Sequence, residues 1–292
     1  MRDFMNNLHP AASGAYFLAV VIFAIMFSHP ITLGISFVTA VLSIWYFYGA
    51  SKLKGIMRFV IRVMVLSVII TPLLLHKGVT IITYLPWGAL TREAIYYGFA
   101  TAFSISSVIL WMLFYSEVMT TDKLVYFFGK AAPSVSMVLC IILRLVPNLI
   151  DKFREVYAYQ KLMQSSSGKT GIIDKTKSLV SVVSIVISWS LDSGVNTAQS
   201  IKGRGYGKGK RSSFYRYRMS KEDTVFLIAV TLLAAAVIFG AFNGAFKWDY
   251  FYRSPKNAVT TFKCIELAAL TALYCLPVMF EMSEVKTWKR SN

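Results

Sequence analysis

The sequence predicts an all-α protein that crosses a membrane about six times and carries long helices at its cytoplasmic face. Of its 292 residues, 56% are hydrophobic and only 15% are charged, whereas soluble domains carry about 25% charged residues. Runs without charged residues recur at about the 20-residue length that crosses a bilayer as a helix. The net charge of +17 lies mostly between these runs, as in cytoplasmic loops of membrane proteins.

The first two predicted spans lie within residues 11–51, where no Asp, Glu, Lys or Arg occurs. This stretch is about twice as long as one crossing requires. Because Pro30 disfavours helical backbone in the residue before it, we predict spans over residues 12–28 and 31–50, joined by a tight turn at His29.

Four more spans are predicted from apolar runs of similar length. The last of them is interrupted by Lys263 and Glu266, which makes its pattern weaker than the others. The predicted ranges are 57–75, 94–116, 224–246 and 258–280.

The distribution of charge predicts the orientation of these spans. The segment "SKLKGIMR" after the second span is basic, so we place it inside, and the nearly balanced segment 76–93 outside. Residues 123–222 carry 17 Lys or Arg against 5 Asp or Glu, which indicates a cytoplasmic position. Both termini are then cytoplasmic. The predicted organisation is N-terminal membrane helices in residues 1–122, cytoplasmic-face helices in 123–222, and C-terminal membrane helices with a tail in 223–292.

Two apolar runs inside this basic region leave the number of crossings open. They cover residues 133–150 and 178–191, and the second is only 14 residues long. If both crossed, residues 151–177 with six Lys or Arg would lie outside, against the charge rule. We therefore favour long amphipathic helices at the inner membrane face, with eight spans as the alternative.

Motifs for nucleotides, metals and nucleophiles are incomplete. "SSSGKTG" at residues 165–171 contains the GKT of a P-loop, but Met163 stands where that motif requires its first glycine. "GRGYGKG" follows a helical pattern, whereas a dinucleotide fingerprint follows a strand. No HExxH or GxSxG occurs. We therefore predict no catalytic residue, no metal site and no cofactor bound by this chain. Its basic charge lies between apolar spans, so the expected partner is the lipid bilayer and not nucleic acid.

One basic stretch, residues 202–211, has the features of a docking elbow for another protein. The glycines beside Arg204 let a neighbouring surface approach the backbone closely. The guanidinium offers a planar fork of donors that suits carboxylates and carbonyls. Lys208, Lys210 and Arg211 would lie near anionic lipid. The alternative is a basic loop beneath the membrane with no protein partner.

Several segments, taken together and in order, resemble the T component of energy-coupling factor (ECF) transporters, the CbiQ/EcfT family. They are "LHPAASGAYFL" at residues 8–18, "MFSHPITLGIS" at 26–36, "ILWMLFYSEVMTTDKLVYFFGKAAPSVSMVLCIILRLVPNL" at 109–149 and "SLDSGVNTAQSIKGRGYG" at 190–207. The resemblance implies a non-catalytic scaffold in the cell membrane. Such a scaffold joins two cytosolic ABC-type ATPase subunits, which bind the ATP, to a separate substrate-binding S component that imports vitamins or trace nutrients.

The resemblance also implies two docking motifs, each centred on an arginine at the end of a long coupling helix. The second motif falls on Arg204 with its neighbours Lys202, Gly203 and Gly205. The first usually reads Ala-Gln-Arg-Ala-Arg-Gly and falls here on "YQKLMQ" at residues 159–164. The matching positions are Gln160, Lys161 in place of an arginine, and Met163 in place of the motif arginine.

This departure at the first motif has two explanations. Either a hydrophobic contact and Lys161 replace the arginine, or the alignment is displaced by one helical turn. Unlike docking sites would indicate that the two ATPases differ from one another. Two other classes stay open: a self-contained permease, which needs a polar cluster within the spans, and a membrane-bound transferase, which needs an acidic metal site.

Overall fold

A computed structural model of the chain describes residues 4–75, 78–85, 88–131, 133–166, 171–209, 219–244, 246, 248, 250 and 261–291. The described elements are α1 (Phe4–Asn7), α2 (Pro10–Met26), α3 (Pro30–Leu74), β1 (Ile81–Leu85), β2 (Gly88–Thr91), α4 (Arg92–Val118), α5 (Thr121–Ala131), α6 (Pro133–Ser166), α7 (Ile172–Gly203), α8 (Lys221–Phe242) and α9 (Thr261–Ser291). The predicted all-α class is confirmed. Three predicted features lie outside the described residues: the GKT turn, the basic pair Lys210 and Arg211, and most of the segment between α8 and α9.

Six of the described helices are long and apolar enough to cross a membrane, namely α3, α4, α6, α7, α8 and α9. Helix α2 is equally apolar but has 17 residues. A polytopic helical membrane protein with about six spans is therefore confirmed. The set of helices differs from the predicted one, because α3 contains the second and third predicted spans in one range. Helices α6 and α7 have the length and composition that the eight-span alternative requires.

The predicted loop "SKLKGIMR" is wrong, because residues 51–58 are helical. The chain departs from helical geometry at Gly49, where φ is 79° and ψ is 170°. Only glycine adopts such a backbone without a steric penalty. Lys and Arg have high helix propensity, so the basic residues continue the helix and the break falls at the glycine. Helix α3 therefore consists of two helical segments on either side of Gly49.

Residues 76–93, predicted only as a connection, contain a β-hairpin. Strands β1 and β2 pair antiparallel, with Ile81 opposite Thr91. The side chain of Thr91 caps α4 by accepting a hydrogen bond from the Ala94 amide at 3.3 Å. Glu93 accepts a bond from the Thr80 hydroxyl at 2.6 Å. The β-branched run "TIIT" at residues 80–83 is typical of a strand, and these side-chain bonds join the hairpin to the start of α4.

The chain forms two compact units. Unit 1 comprises residues 1–123 and 217–292, and unit 2 comprises residues 124–216. The core of unit 1 contains Tyr16, Trp111 and Tyr274, all almost fully buried. The Tyr16 hydroxyl donates to the Tyr274 carbonyl at 3.3 Å, and the Trp111 indole donates to the Ser36 hydroxyl at 3.2 Å. Helices from both ends of the sequence therefore build one core.

A buried carboxyl group lies at the contact between α8 and α9 in unit 1. Glu266 on α9 is 5% exposed, and neither of its carboxyl oxygens has a hydrogen-bond partner among the described residues. A Cβ built at Gly240 on α8 would overlap this carboxyl group. The two helices thus approach closely because position 240 has no side chain.

Candidate docking site

The basic stretch at the end of α7 is a helix-terminating turn of the Schellman type. Gly203 is the last helical residue, and Arg204 is the C-cap. The amide of Gly205 donates to the Lys202 carbonyl at 3.0 Å, and that of Tyr206 donates to the Ile201 carbonyl at 3.3 Å. This pair of bonds defines the motif and requires a left-handed residue after the cap. Gly205 supplies it with a φ of 77°.

The two glycines beside Arg204 therefore have different roles. Gly205 is needed to end the helix, since a residue with a side chain is strained at this φ. Gly203 is helical, and a Cβ built there meets no atom of the described chain within 4 Å. Among the described residues, no neighbouring side chain therefore requires glycine at position 203.

Arg204 lines a groove between α6 and α7 within unit 2. The groove has a volume of about 720 Å³. Its charged side chains are Arg204 and Asp192 from α7 and Arg144 from α6. Among the ion pairs of the described residues, none involves these three side chains. The remaining lining residues are Met137, Cys140, Ile141, Leu145, Asn148, Trp189, Ser193, Asn196, Thr197, Ser200 and Ile201.

The polar groove residues of α7 form a helical repeat, in which a docking role was predicted from the sequence only for Arg204. Asp192, Asn196, Ser200 and Arg204 follow one another at intervals of four, which places them on one face of α7. The four-residue spacing of this polar stripe could have been found in the sequence. The α6 residues of the groove could not have been predicted from the sequence, because the packing of the two helices decides which of them face the stripe.

The first motif lies elsewhere on α6, near its C-terminal end. Lys161 is exposed and Met163 has 69% of its surface exposed, while Gln160 is half-buried. Tyr159 and Leu162 are also exposed, at 60% and 66%. Spacings of three and four place Tyr159, Leu162 and Met163 on one helix face. This exposed apolar surface, residues 159, 162 and 163, is called the α6 apolar patch below.

The two motifs do not come together. Arg204 shares its groove with α6 residues no later than Asn148. Sixteen residues of α6 separate Arg144 from Gln160, which corresponds to about 24 Å along a helix. Unit 2 therefore presents two separate surfaces, one polar and arginine-lined and one apolar. Among the described residues, no three His, Cys, Asp or Glu side chains form a metal-binding group.

The family model CbiQ, described as a cobalt transport protein, matches residues 2–215. The match covers well over half of the chain and includes both motif positions on α6 and α7. The search of curated proteins found no match.

Proposed function

Because the chain belongs to the CbiQ family and is a membrane component of a transporter, we propose that it is the T component of an ECF-type importer. In this proposal two cytosolic ABC-type ATPase subunits dock on unit 2. A separate S component binds the cargo, a vitamin or a trace nutrient such as the cobalt of the family's description. Both termini lie in the cytoplasm. This chain binds no ATP and catalyses no reaction.

The observation that carries the proposal is the position of Arg204. Its side chain is exposed at the end of a 32-residue helix, in a groove that a second arginine also lines. Two guanidinium groups without ion-pair partners in the described chain suit an acidic surface on another subunit. Docking at a helix end also suits a mechanical role, since a force applied there acts on the whole helix.

The first docking site is proposed to be the α6 apolar patch, with Lys161 beside it. Apolar side chains this exposed on one helix face are typical of surfaces that contact protein or lipid. This supports a hydrophobic contact in place of the missing arginine. Since one site is arginine-lined and the other apolar, the two ATPase subunits are proposed to differ at their contact surfaces.

The proposal is tested by purifying the chain from its native membrane through a C-terminal tag and identifying bound proteins by mass spectrometry. We expect two ABC-type ATPase subunits and one small membrane protein. Recovery of the chain alone would contradict the T-component assignment. Uptake by the purified chain alone in proteoliposomes would also contradict it, in favour of a self-contained permease.

Gly203→Ala is expected to preserve folding and weaken recovery of one ATPase. The new Cβ meets nothing within 4 Å in the chain, and alanine favours helix by up to about 1 kcal/mol. A docked surface close to the backbone would nevertheless collide with it. The matched control is Gly209→Ala, where a Cβ also meets nothing within 4 Å and φ is not positive. Equal ATPase recovery with both variants would exclude a close approach at position 203.

A further inference from the structure

The N-terminal segment Met5–His9 bonds to Lys123 and Asp223, two residues of unit 1 that lie near the points where the chain enters and leaves unit 2. Unit 2 begins at Leu124 and ends at Arg216. Lys123 therefore stands immediately before it, and Asp223, in the first turn of α8, stands shortly after it. Residues 5–9 are called the N-terminal strap below.

The bond to the entry point is a buried lysine contact. The Lys123 ammonium donates to the Met5 carbonyl at 3.0 Å. Lys123 is 2% exposed and Met5 is 1% exposed. Lysine is almost never fully buried, because taking its charge out of water costs free energy. The buried ammonium therefore lies between the Met5 carbonyl of the strap and the nearby Asp223 charge.

The bond to the exit point uses a carboxylate with two acceptor oxygens. Asp223 forms a capping box with Ser220, accepting from the Ser220 amide at 2.8 Å through Oδ2. Its other oxygen, Oδ1, accepts from the His9 amide at 3.0 Å. The capping box uses only Oδ2 of this carboxylate, together with the Ser220 side chain. The His9 bond is therefore additional and joins residues 214 positions apart in sequence.

We propose that the N-terminal strap fastens the two chain connections of unit 2 within unit 1, and that Lys123 and Asp223 are positioning residues for coupling. The inference rests on the proposed function, in which ATP-driven movement of unit 2 must reach the membrane helices. A chain connection transmits force to the membrane helices only if the residue at its end is held in place. The strap holds the end of both connections, because this one five-residue segment bonds to Lys123 and to Asp223.

The buried position of Lys123 affects its pKa. Burial lowers the pKa of Lys123 from 10.5 to about 8, and the nearby Asp223 charge acts in the opposite direction. Asp223 and His9 are further titratable residues near Lys123, and the His9 Nδ1 accepts from the Ala11 amide. Between pH 8 and 10.5 the unfolded chain binds more protons at this lysine than the folded chain does. The stability of the folded chain therefore rises with pH through this window.

The rise of stability with pH can be measured by thermal unfolding. The thermal unfolding midpoint of the wild type, relative to that of Lys123→Met, is expected to rise as the pH increases from about 7 to about 10. The Met variant keeps an unbranched side chain that is one heavy atom shorter, and it removes the titrating group. A difference that stays constant over this range would place the ammonium in solvent and contradict the buried contact.

The strap itself is tested by hydrogen–deuterium exchange of the full chain in nanodiscs. In Lys123→Met, amides of the strap and of the first turn of α8 are expected to exchange about tenfold faster, since a hydrogen bond to a charged group is worth about 1.5–3 kcal/mol. Asp223→Ala removes the acceptor of the His9 amide and should speed exchange at the start of α5. Changes confined to the substituted helix would contradict a strap. The matched control is Lys52→Met, which removes an exposed ion pair with Glu117 at 2.6 Å.

Coupling is tested on the purified complex with its ATPases, by comparing exchange with and without ATP. The wild type and Lys52→Met should show an ATP-dependent change at the first turn of α8. Lys123→Met should lose at least about half of it while retaining both ATPases, because docking lies in unit 2. An unchanged response in Lys123→Met would overturn the inference, as would joint loss of ATPase binding and response. Absence of ATPases from the wild type would contradict the proposed function instead, and the exchange of the isolated chain would still decide on the strap.

Discussion

Arg204→Ala is expected to abolish recovery of one ATPase subunit with the full-length chain while leaving the other subunit bound. Removing one side of a buried charge contact typically costs about 2–5 kcal/mol, which is about 30-fold or more in the dissociation constant. Only one subunit should be lost, because the α6 apolar patch, the proposed site for the other subunit, lies on α6 beyond the residues that line the groove. Arg204→Lys should restore binding only in part, since the ammonium lacks the planar fork. The measurement is quantitative mass spectrometry of the purified complex.

The matched control for this prediction is Lys208→Ala. Lys208 is an exposed cation four residues further on, and it is not among the residues that line the groove. Its removal should change recovery by less than about twofold, as for surface charges in general. The native Cys140, which lines the groove and is exposed, gives a second readout. Its reaction with maleimide should slow in the wild-type complex. Unchanged ATPase recovery and uptake with Arg204→Ala would contradict the docking role of this groove.

Gly240→Ala is expected to lower the thermal stability of unit 1 strongly, by about 1–3 kcal/mol. A methyl group at position 240 would overlap the Glu266 carboxyl. That carboxyl is the end of a flexible side chain that is buried at the contact of two packed helices, so relief requires either rotation of the Glu266 side chain out of the contact or separation of the helices. Both responses cost free energy. The measurement is the thermal unfolding midpoint of the purified chain in detergent.

A second substitution separates this overlap from a general intolerance of α8. Glu266→Ala removes the overlapping group, so Gly240→Ala with Glu266→Ala should be more stable than Gly240→Ala alone. Glu266→Gln keeps the size of the side chain and should give no such rescue. If the effects of Gly240→Ala and Glu266→Ala were simply additive, the two residues would not be coupled, and the close contact of α8 and α9 would be contradicted.

The membrane class followed from composition, because too few charged residues are present to cover a water-soluble body of this size, and the length of the apolar runs indicated helices. The end of α7 could also be predicted from the sequence. A glycine just after a helical pattern indicates a left-handed residue that ends the helix, and Arg204 lies directly before this glycine. The prediction of a loop after the second span was wrong, and the reason is also local. The basic residues favour helix, and the chain bends at Gly49 instead.

Other features depend on which segments meet in space. Arg144 shares a groove with Arg204 because α6 packs on α7, and residues 60 positions apart carry no periodic signal of that pairing. The bonds of the strap to Lys123 and Asp223 join residues from three distant parts of the chain. Local propensity and hydropathy report what each segment forms and whether it enters the membrane. Which polar groups are buried together depends on packing between segments, and this packing creates the groove and the strap.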